Sequence, residues 1–316
     1  MKKSGLLLVF LSTSIICLGQ SMEVGVRQFE NEQYEQAERA FRSVDDESKD
    51  YAKAQYYLGR IAFDRQEYSD AEEYFEEAID NDDSKANYHY WYGNAVGIIA
   101  QDANVLKQGF LAPKIKNAYE SAVKLDPKMV DAHWGLLEYY TLAPGFMGGS
   151  WEKAMQTAEK IKKLNIERGY LAAITVYLRQ EKFSEAEQEY KKLLAIDGKY
   201  ILNLGYFYQS REEYDKAFDL FEQEYQKNPA NFSALYQIGR TSALSGKRSD
   251  LGIKSLNTYL GHEVVEDEPS HAAALMRLGM IYEKTGDKGM ARKNYQKSLD
   301  QDPTMKLAKE GLKRVK

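Results

Sequence analysis

A glycine recurs at 34-residue intervals in two parts of the chain. Gly25, Gly59 and Gly93 are each 34 residues apart, and Gly205 and Gly239 show the same interval. In the most regular units an alanine follows the glycine by twelve residues, and an aromatic residue follows the alanine by four. These sets are Gly25–Ala37–Phe41, Gly59–Ala71–Phe75, Gly205–Ala217–Phe221 and Gly279–Ala291–Tyr295. A period of this length predicts one supersecondary unit per repeat, and it constrains the fold more than any local motif.

Each unit is expected to be an antiparallel pair of helices. Gly59 in the first helix and Ala71 in the second allow close approach, and Phe75 fills the space one turn later. The polar stretch 64–67 separates the two helices as a turn. A single pair cannot bury its apolar face, so neighbouring pairs must stack. Several units close with a proline, at Pro127, Pro229 and Pro303.

This pattern resembles the tetratricopeptide repeat family, whose units share the leucine-glycine, tyrosine, alanine, aromatic and closing-proline positions. The resemblance implies an all-α, right-handed superhelical solenoid of about eight helix-turn-helix repeats. The expected units are 20–51, 52–85, 86–129, 130–166, 167–197, 198–231, 232–271 and 272–305. Residues 304–316 are predicted to form a C-terminal capping helix, with Leu307, Ala308 and Leu312 facing the last pair. The expected domain organisation is therefore one solenoid over residues 20–316.

Three units depart from the regular length. In the third, residues 102–112 are expected to separate the two helices, with Pro113 at the start of the second. In the fourth, residues 141–150 form a long connection rich in glycine. Its glycines could bind phosphate at a helix start, but Ser150 is more simply the cap of the following helix. The seventh unit has a weak second helix around 252–259, followed by an acidic link at 263–268.

The first residues are typical of an export signal. Lys2 and Lys3 precede an apolar run over 6–18, which is too short and too polar in its middle to span a bilayer. Cleavage after Gly19 would leave a signal peptide of residues 1–19 and would remove Cys17, the only cysteine. In an alternative, Cys17 is a lipid anchor, although Ile16 is bulky for that processing. We therefore expect a periplasmic or secreted protein.

Composition excludes several classes of protein. A mean hydropathy of −0.60 argues against a multi-span membrane protein, and a pI near 5.6 argues against a dedicated nucleic-acid binder. Residues 22–83 carry 19 acidic and 7 basic groups. This surplus is typical of a solvated convex surface, but it could also attract a basic partner or the basic tail of a second copy, which would give self-association.

A candidate binding groove follows from the helix period. If Leu58, Gly59 and Ala62 face the core, residues spaced by four and three form a second stripe on the first helices. In the tetratricopeptide family the first helices line a concave groove that holds peptides or partner helices. The predicted groove residues are Tyr56, Arg60, Phe63, Tyr90, Asn94, Trp134, Glu138, Tyr206, Tyr236 and Arg240. The alternative is that several of these residues only pack against the next repeat.

Other site chemistries have weaker signals. Family members that bind a terminal carboxylate use lysine and asparagine on neighbouring first helices; Asn94 matches, but Tyr90 stands where the lysine is expected. His89 and His133 could bind a metal with Glu138, but packing roles fit them better. His262 and His271 are expected at the surface. No serine-histidine-acid motif is present, and no cofactor or metal is predicted.

The sequence thus favours a non-enzymatic scaffold or adaptor that binds a protein or peptide outside the cytoplasm. The alternative is a small-molecule or transporter-accessory binding protein, whose pocket is closed by residues 102–112 and 141–150. The Ala-Pro-Gly to Gly-Gly-Ser connection within 143–150 carries a resemblance to the T-component proteins of TRAP transporters.

Overall fold

A computed structural model describes residues 22–315 of the chain, and the predicted signal peptide and Cys17 lie outside this range. Over the described residues the secondary structure consists of α-helices, two 3-10 turns and connecting segments, with no strand. The predicted fold class, an all-α helical-repeat solenoid, is confirmed in the form of successive helix pairs.

The described residues divide into two compact units, 22–182 and 183–315, called unit 1 and unit 2. Unit 1 contains α1 (22–30), α2 (Tyr34–Arg42), α3 (Tyr51–Asp64), α4 (Tyr68–Asn81), α5 (Ala86–Gln101), α6 (Val105–Leu125), α7 (Val130–Leu142), α8 (Trp151–Leu164) and α9 (Ile166–Arg179). Unit 2 contains α10 (Phe183–Ile196), α11 (Ile201–Ser210), α12 (Tyr214–Lys227), α13 (Phe232–Ser245), α14 (Ser249–Tyr259), α15 (His271–Lys284), α16 (Lys288–Gln301) and α17 (Lys306–Arg314). Short 3-10 turns cover Gly145–Met147 and Gly198–Tyr200.

These helices occupy the positions of the eight predicted pairs, and α17 occupies that of the predicted cap. The two helices predicted as the fifth pair, α9 and α10, fall in different units, so their pairing stays a prediction. A single solenoid over 20–316 stays a prediction.

The repeat glycine is a packing site for the ring of the second helix. A Cβ placed on Gly59 would lie 2.6 Å from the ring of Phe75, which is fully buried. Gly25, Gly205 and Gly279 face a ring in the same way. The glycine–ring spacing of the sequence therefore marks the helix contact within these four pairs, as predicted.

The third pair differs from its prediction, because residues 105–112 are helical. Helix α6 begins at Val105 and continues through Pro113, so this proline lies inside the helix and not at its start. The side chain of Asn104 caps the helix by accepting a hydrogen bond from the N–H of Lys107 at 2.9 Å. A proline removes one helical hydrogen bond, but the preceding two turns and the cap still start the helix early.

The last pair is closed by α17. The ring of Tyr295 lies between Gly279 and Gly311, where added Cβ atoms would meet it at 2.5 and 2.3 Å. Ala308 is buried against this pair as predicted, and Leu312 is partly buried against it, whereas Leu307 is 45% exposed, contrary to the prediction. Arg314 pairs with Glu283 at 2.6 Å and fixes the cap helix to α15.

The turns within several pairs share one backbone conformation. Glu32, Gln66, Glu181 and Glu212 have φ between 57° and 65°, the left-handed region that favours glycine. Gly246 and Gly286 adopt the same region in the seventh and eighth pairs. The turn geometry is therefore repeated even where its residue is not glycine.

Candidate functional site

The ten predicted groove residues all lie on first helices, and they fall into two sets. Unit 1 contains Tyr56, Arg60, Phe63, Tyr90, Asn94, Trp134 and Glu138, on α3, α5 and α7. Unit 2 contains Tyr206, Tyr236 and Arg240, on α11 and α13.

In unit 1, Arg60 is surrounded by aromatic rings. Its guanidinium carbon lies 3.7 Å from the centroid of Trp91 and 5.5 Å from that of Phe29. Nη1 donates to the hydroxyl of Tyr56 at 3.3 Å, while Nε is buried with no hydrogen-bond partner among residues 22–315. Trp91 also contacts Phe63 edge-on, with centroids 5.0 Å apart. Sequence reasoning missed Trp91, which joins Arg60 to Phe63.

The predicted tyrosines of unit 1 take part in packing as well as in surface formation. Tyr56 is half-buried and stacks on Tyr88 at 4.9 Å. Tyr90 contacts Trp91 and Tyr119. The sequence left open whether these tyrosines line a groove or pack against the next repeat. Each does both, because it packs against the next repeat and keeps part of its ring accessible.

Next to this cluster, unit 1 contains a cavity of about 520 Å³. Its walls come from α3, α5, α6, α7 and the connection after α7. Three predicted groove residues, Phe63, Asn94 and Glu138, line it together with Tyr119 and Met147. Both irregular segments contribute to its walls, residues 102–112 through Gln108 and Ala112 and residues 141–150 through 142–144 and Met147.

The polar groups of the cavity are held in fixed orientations. The hydroxyl of Tyr119 donates to Oδ1 of Asn94 at 2.7 Å, so the amide Nδ2 of Asn94 is left as a donor with no acceptor among the described residues. Burial raises the pKa of Tyr119, with a smaller effect of Tyr90 and Glu138. Glu138 pairs with Arg179 at 2.7 Å and is therefore neutralised locally.

The connection after α7 is tied tightly to its neighbours. The hydroxyl of Tyr139 donates to the carbonyl of Met147, and the N–H of Ser150 donates to the carbonyl of Tyr140 at 2.9 Å. A Cβ on Gly149 would lie 1.7 Å from the carbonyl oxygen of Ala143, so only glycine fits there. Ser150 accepts from the N–H of Lys153 at 3.3 Å and caps α8, as predicted.

Large apolar side chains are exposed on the two segments that close the cavity. Phe110 is 73% exposed and Phe146 is 83% exposed. The other exposed members are Val105, Leu106 and Leu142. Exposed apolar side chains on segments that also wall a concave site are typical of a binding surface.

Trp134 lies on α7 apart from the Arg60 cluster. It packs partly buried against the core around Leu137. The guanidinium of Arg168 lies 5.5 Å from its ring and pairs with Asp131 at 2.6 Å. Trp134 therefore forms a separate cation–π contact on the surface of unit 1.

In unit 2, Arg240 is held by amides. Its Nη1 donates to the side-chain oxygens of Gln209 and Gln237. The amide nitrogen of Gln209 in turn donates to Oγ1 of Thr241 at 2.9 Å. Burial lowers the pKa of Arg240, and the positive charge of Arg277 lowers it further. Arg277 was not among the predicted site residues.

The two predicted tyrosines of unit 2 differ in accessibility. Tyr206 is 37% exposed; burial raises its pKa, and the positive charge of Arg240 opposes this effect. Tyr236 is only 5% exposed, and its ring packs against Tyr259 with centroids 5.5 Å apart. Tyr236 thus belongs to the core of this unit and presents little surface to a ligand.

The histidines have structural partners. His89 and His133 each contact the backbone oxygen six residues earlier, at 2.9 and 3.0 Å. His262 stacks on Phe232 with centroids 3.8 Å apart and contacts Glu268, and His271 contacts the carbonyl of His262. The latter two are partly buried, contrary to the expectation of exposure, because the acidic link folds back onto them.

Residues 22–315 contain no group of three or more histidine, cysteine, aspartate or glutamate residues that could hold a metal ion. No helix in the same range combines the length and the apolar character needed to cross a membrane.

Two segments of the chain match known family models. Residues 25–95 match one and residues 272–305 match another, and both are described as "Tetratricopeptide repeat". The chain is also 32% identical over 104 residues to heat shock protein STI1 of Saccharomyces cerevisiae. That match covers 33% of this chain and only 17% of the yeast protein.

Solved structures of repeat proteins are similar over most of the chain. A tetratricopeptide repeat protein from Parabacteroides merdae covers 94% of this chain and 98% of its own, at 13% identity and a TM-score of 0.48. The C-terminal part of a TPR repeat-containing protein from Cytophaga hutchinsonii covers 92% and 99%, at 17% identity and 0.49. YrrB, described as "a TPR protein with an unusual peptide-binding site", covers 76% and 97%, at 18% identity and 0.38.

Proposed function

We propose that the chain consists of tetratricopeptide-type helix pairs throughout and is a non-enzymatic scaffold that binds a segment of another protein. The observation that carries this proposal is the cavity of unit 1, which shares Phe63 with the Arg60–Trp91 cluster and is walled in part by the two segments that carry exposed apolar side chains. Repeat proteins use such stacked first helices as extended binding surfaces.

The chemistry of the cavity fits an apolar side chain carried on a peptide backbone. Aromatic and aliphatic walls bury an apolar group, which supplies most of the binding free energy. Nδ2 of Asn94 can donate to a backbone carbonyl of the bound segment, since its orientation is fixed by Tyr119. Arginine and tryptophan, as in the neighbouring cluster, are the residues most often found at binding hot spots.

A matched pair of variants tests this function. Gly97 lines the cavity, and a Cβ there would meet only the hydroxyl of Tyr119 at 3.9 Å, so Gly97→Phe fills the cavity without displacing backbone. Gly145 has no neighbour within 4 Å and does not line the cavity, so Gly145→Phe is the control. Both variants should keep the helical circular dichroism spectrum.

The measurement is photo-cross-linking from Phe110→p-benzoylphenylalanine in extracts of the native host, followed by mass spectrometry. We expect one or a few proteins to be captured repeatedly, with a yield that falls at least about tenfold in Gly97→Phe and stays unchanged in Gly145→Phe. A yield insensitive to the filled cavity would contradict the proposal.

A second candidate function is the binding of a small molecule, as in a transporter-accessory protein. The observation in its favour is that both irregular segments help to wall the same cavity. Native mass spectrometry separates the two. A small molecule that stays with the wild type and with Gly145→Phe but not with Gly97→Phe, without any cross-linked protein, would favour this second function.

We also propose that the protein works outside the cytoplasm, on the basis of the charged start and apolar run of residues 1–19. An alkaline phosphatase fused after residue 30 reports on export, since that enzyme is active only outside the cytoplasm. We expect activity with the natural sequence and its loss when Leu8 and Val9 are replaced by arginine. Palmitate labelling that depends on Cys17 would show the lipid-anchored alternative.

A further inference from the structure

Two arginines of unit 2 lie on helices that pack against each other, and neither has an acidic partner among the described residues. Arg240 on α13 and Arg277 on α15 are both half-buried, and neither forms an ion pair with any residue in the range 22–315. The positive charge of Arg277 lowers the pKa of Arg240, in addition to the larger effect of burial. Two like charges removed from water destabilise each other.

The hydrogen-bond donors of this pair are only partly used. Arg240 donates through Nη1 to two neutral amide oxygens, those of Gln209 and Gln237. Arg277 donates through Nη1 to the sulfur of Met280 at 3.4 Å, which is a weak acceptor. Nε of Arg277 is buried and has no hydrogen-bond partner in the described part of the chain. An unsatisfied buried donor of this kind costs free energy until an acceptor binds.

Other arginines of unit 2 have the acidic partners that Arg240 and Arg277 lack. Arg248 contacts Asp219 and Glu222, and Arg314 contacts Glu283. Acidic side chains are thus available in this unit, yet none is placed at the Arg240–Arg277 pair. The network from Thr241 through Gln209 holds the guanidinium of Arg240 in position without neutralising it.

We propose that Arg240 and Arg277 form a binding site for a carboxylate side chain of a protein segment bound by unit 2. A carboxylate accepts two hydrogen bonds from guanidinium groups and supplies the absent countercharge. Tyr206, which is 37% exposed beside Arg240, offers a ring against which the stem of an aspartate or glutamate can pack. This inference rests on the proposed function as a protein-binding scaffold, and it names the chemistry of the segment.

The test uses a defined peptide, acetyl-hexaglutamate amide with a fluorescent label, and the full chain. Fluorescence anisotropy measures its binding to the wild type, to Arg240→Gln/Arg277→Gln, and to Lys254→Gln/Lys297→Gln. The two lysines are exposed on α14 and α16, so the control removes the same charge away from the site. We expect affinity to fall at least about tenfold in the arginine variant and less than about twofold in the lysine variant.

Three results would overturn the inference. An equal loss in both double variants would show general charge attraction. If acetyl-hexaglutamine amide bound with the same affinity as the hexaglutamate peptide, the carboxylate would not be what the site recognises. Binding of acetyl-hexa-alanine with a free C-terminus, but not of the amidated hexaglutamate, would assign the pair to a terminal carboxylate.

The thermal midpoint of the free protein gives a second readout. Because the pair carries unneutralised charge, Arg277→Gln should keep or raise the midpoint, and hexaglutamate should raise it for the wild type but not for the arginine double variant. A lower midpoint in Arg277→Gln would indicate a structural role and overturn the site. If the peptide binds here while cross-linking at Phe110 captures no protein, the proposed function fails and the site stands. If cross-linking captures a protein but the peptide does not bind, the proposed function stands and the arginine site fails.

Discussion

Arg60 in unit 1 and Arg240 in unit 2 follow the repeat glycine at the same step, yet their surroundings differ. Arg60 lies against the rings of Trp91 and Phe29, whereas Arg240 is held by the amides of Gln209 and Gln237. The repeat determines the backbone position of the arginine, and the side chains of the neighbouring first helix determine what it contacts. One repeat position can therefore serve an apolar surface in one unit and an anion-binding surface in the other.

The difference also has an energetic side. The aromatic faces around Arg60 stabilise its charge through their quadrupoles and through packing of its stem. Arg240 makes no cation–π contact with a ring among the described residues, and the positive charge of Arg277 lowers its pKa. The rings of unit 1 thus stabilise the charge of Arg60, although its Nε, like that of Arg277, is buried with no partner among the described residues. Unit 2 leaves its arginine pair for a ligand to neutralise.

The largest effect that would test this comparison is expected from Trp91→Ala. Removal of the ring deprives Arg60 and Phe63 of a shared neighbour and should lower the free energy of unfolding of unit 1 by about 3 kcal/mol. Hydrogen exchange of the amides of α3 and α5 measures it, with α13 as an internal reference. Trp151→Ala, at a 44% exposed position, is the control and should cost less than about 1 kcal/mol.

The arginines themselves give the next effect. Arg60→Gln should destabilise unit 1 by about 1 kcal/mol through loss of its cation–π contacts. Arg240→Gln should change the stability of unit 2 by less than about 0.5 kcal/mol, because relief of the repulsion from Arg277 offsets the lost hydrogen bonds. Urea denaturation followed by hydrogen exchange in each unit measures both. Equal losses in the two units would break the comparison.

The turns provide a case in which the two units should agree. Gln66 in unit 1 and Glu212 in unit 2 have φ of 65° and 59°. Replacing either by glycine removes the steric cost of a left-handed side-chain residue, partly offset by the greater entropy of the unfolded chain. Each variant should gain about 0.5 kcal/mol, seen as a higher thermal midpoint. A loss in one unit only would show that its turn side chain has another role.

The smallest effect concerns the pH dependence of unit 2. Hydrogen bonding from Arg314 lowers the pKa of Glu283 below its ordinary value of 4.5, with burial opposing and Tyr295 assisting. The resulting stabilisation is complete above pH 4.5 and is lost as the pH falls through the lowered pKa. Glu283→Gln should lose a few tenths of a kcal/mol at neutral pH and flatten the acid limb. Thermal midpoints between pH 7 and pH 3 measure it; an unchanged acid limb would argue against the pair.

Much of the fold could be predicted because it depends on contacts at fixed spacing. Gly59 and Phe75 lie in one pair, so the helix period alone brings them together. The extent of α6 could not be read in this way, since Pro113 suggested a helix start and the competing cap, Asn104, lies nine residues earlier.

The candidate sites were less predictable, because they depend on contacts between repeats. Trp91 and Arg277 were missed, although each lies on a first helix, because their importance comes from Arg60 and Arg240 on another helix. Tyr236 was expected in the groove but is buried against Tyr259 of α14. The spacing of residues on the first helix does not show how much of that helix α14 covers. The sequence did show an arginine directly after the repeat glycine in two repeats. It did not show which side chains of the neighbouring helix would contact each arginine.

Rings shared by two glycines have a consequence for how the molecule opens. Tyr119 faces both Gly93 and Gly135, and Tyr295 faces both Gly279 and Gly311. If one of the two glycine-bearing helices detaches, it exposes a ring that is also packed against the other helix. Adjacent pairs therefore cannot open independently at these points. Fraying of α17 should therefore be transmitted to α15 as a shared exchange rate, and each unit should behave as a few cooperative blocks longer than one repeat.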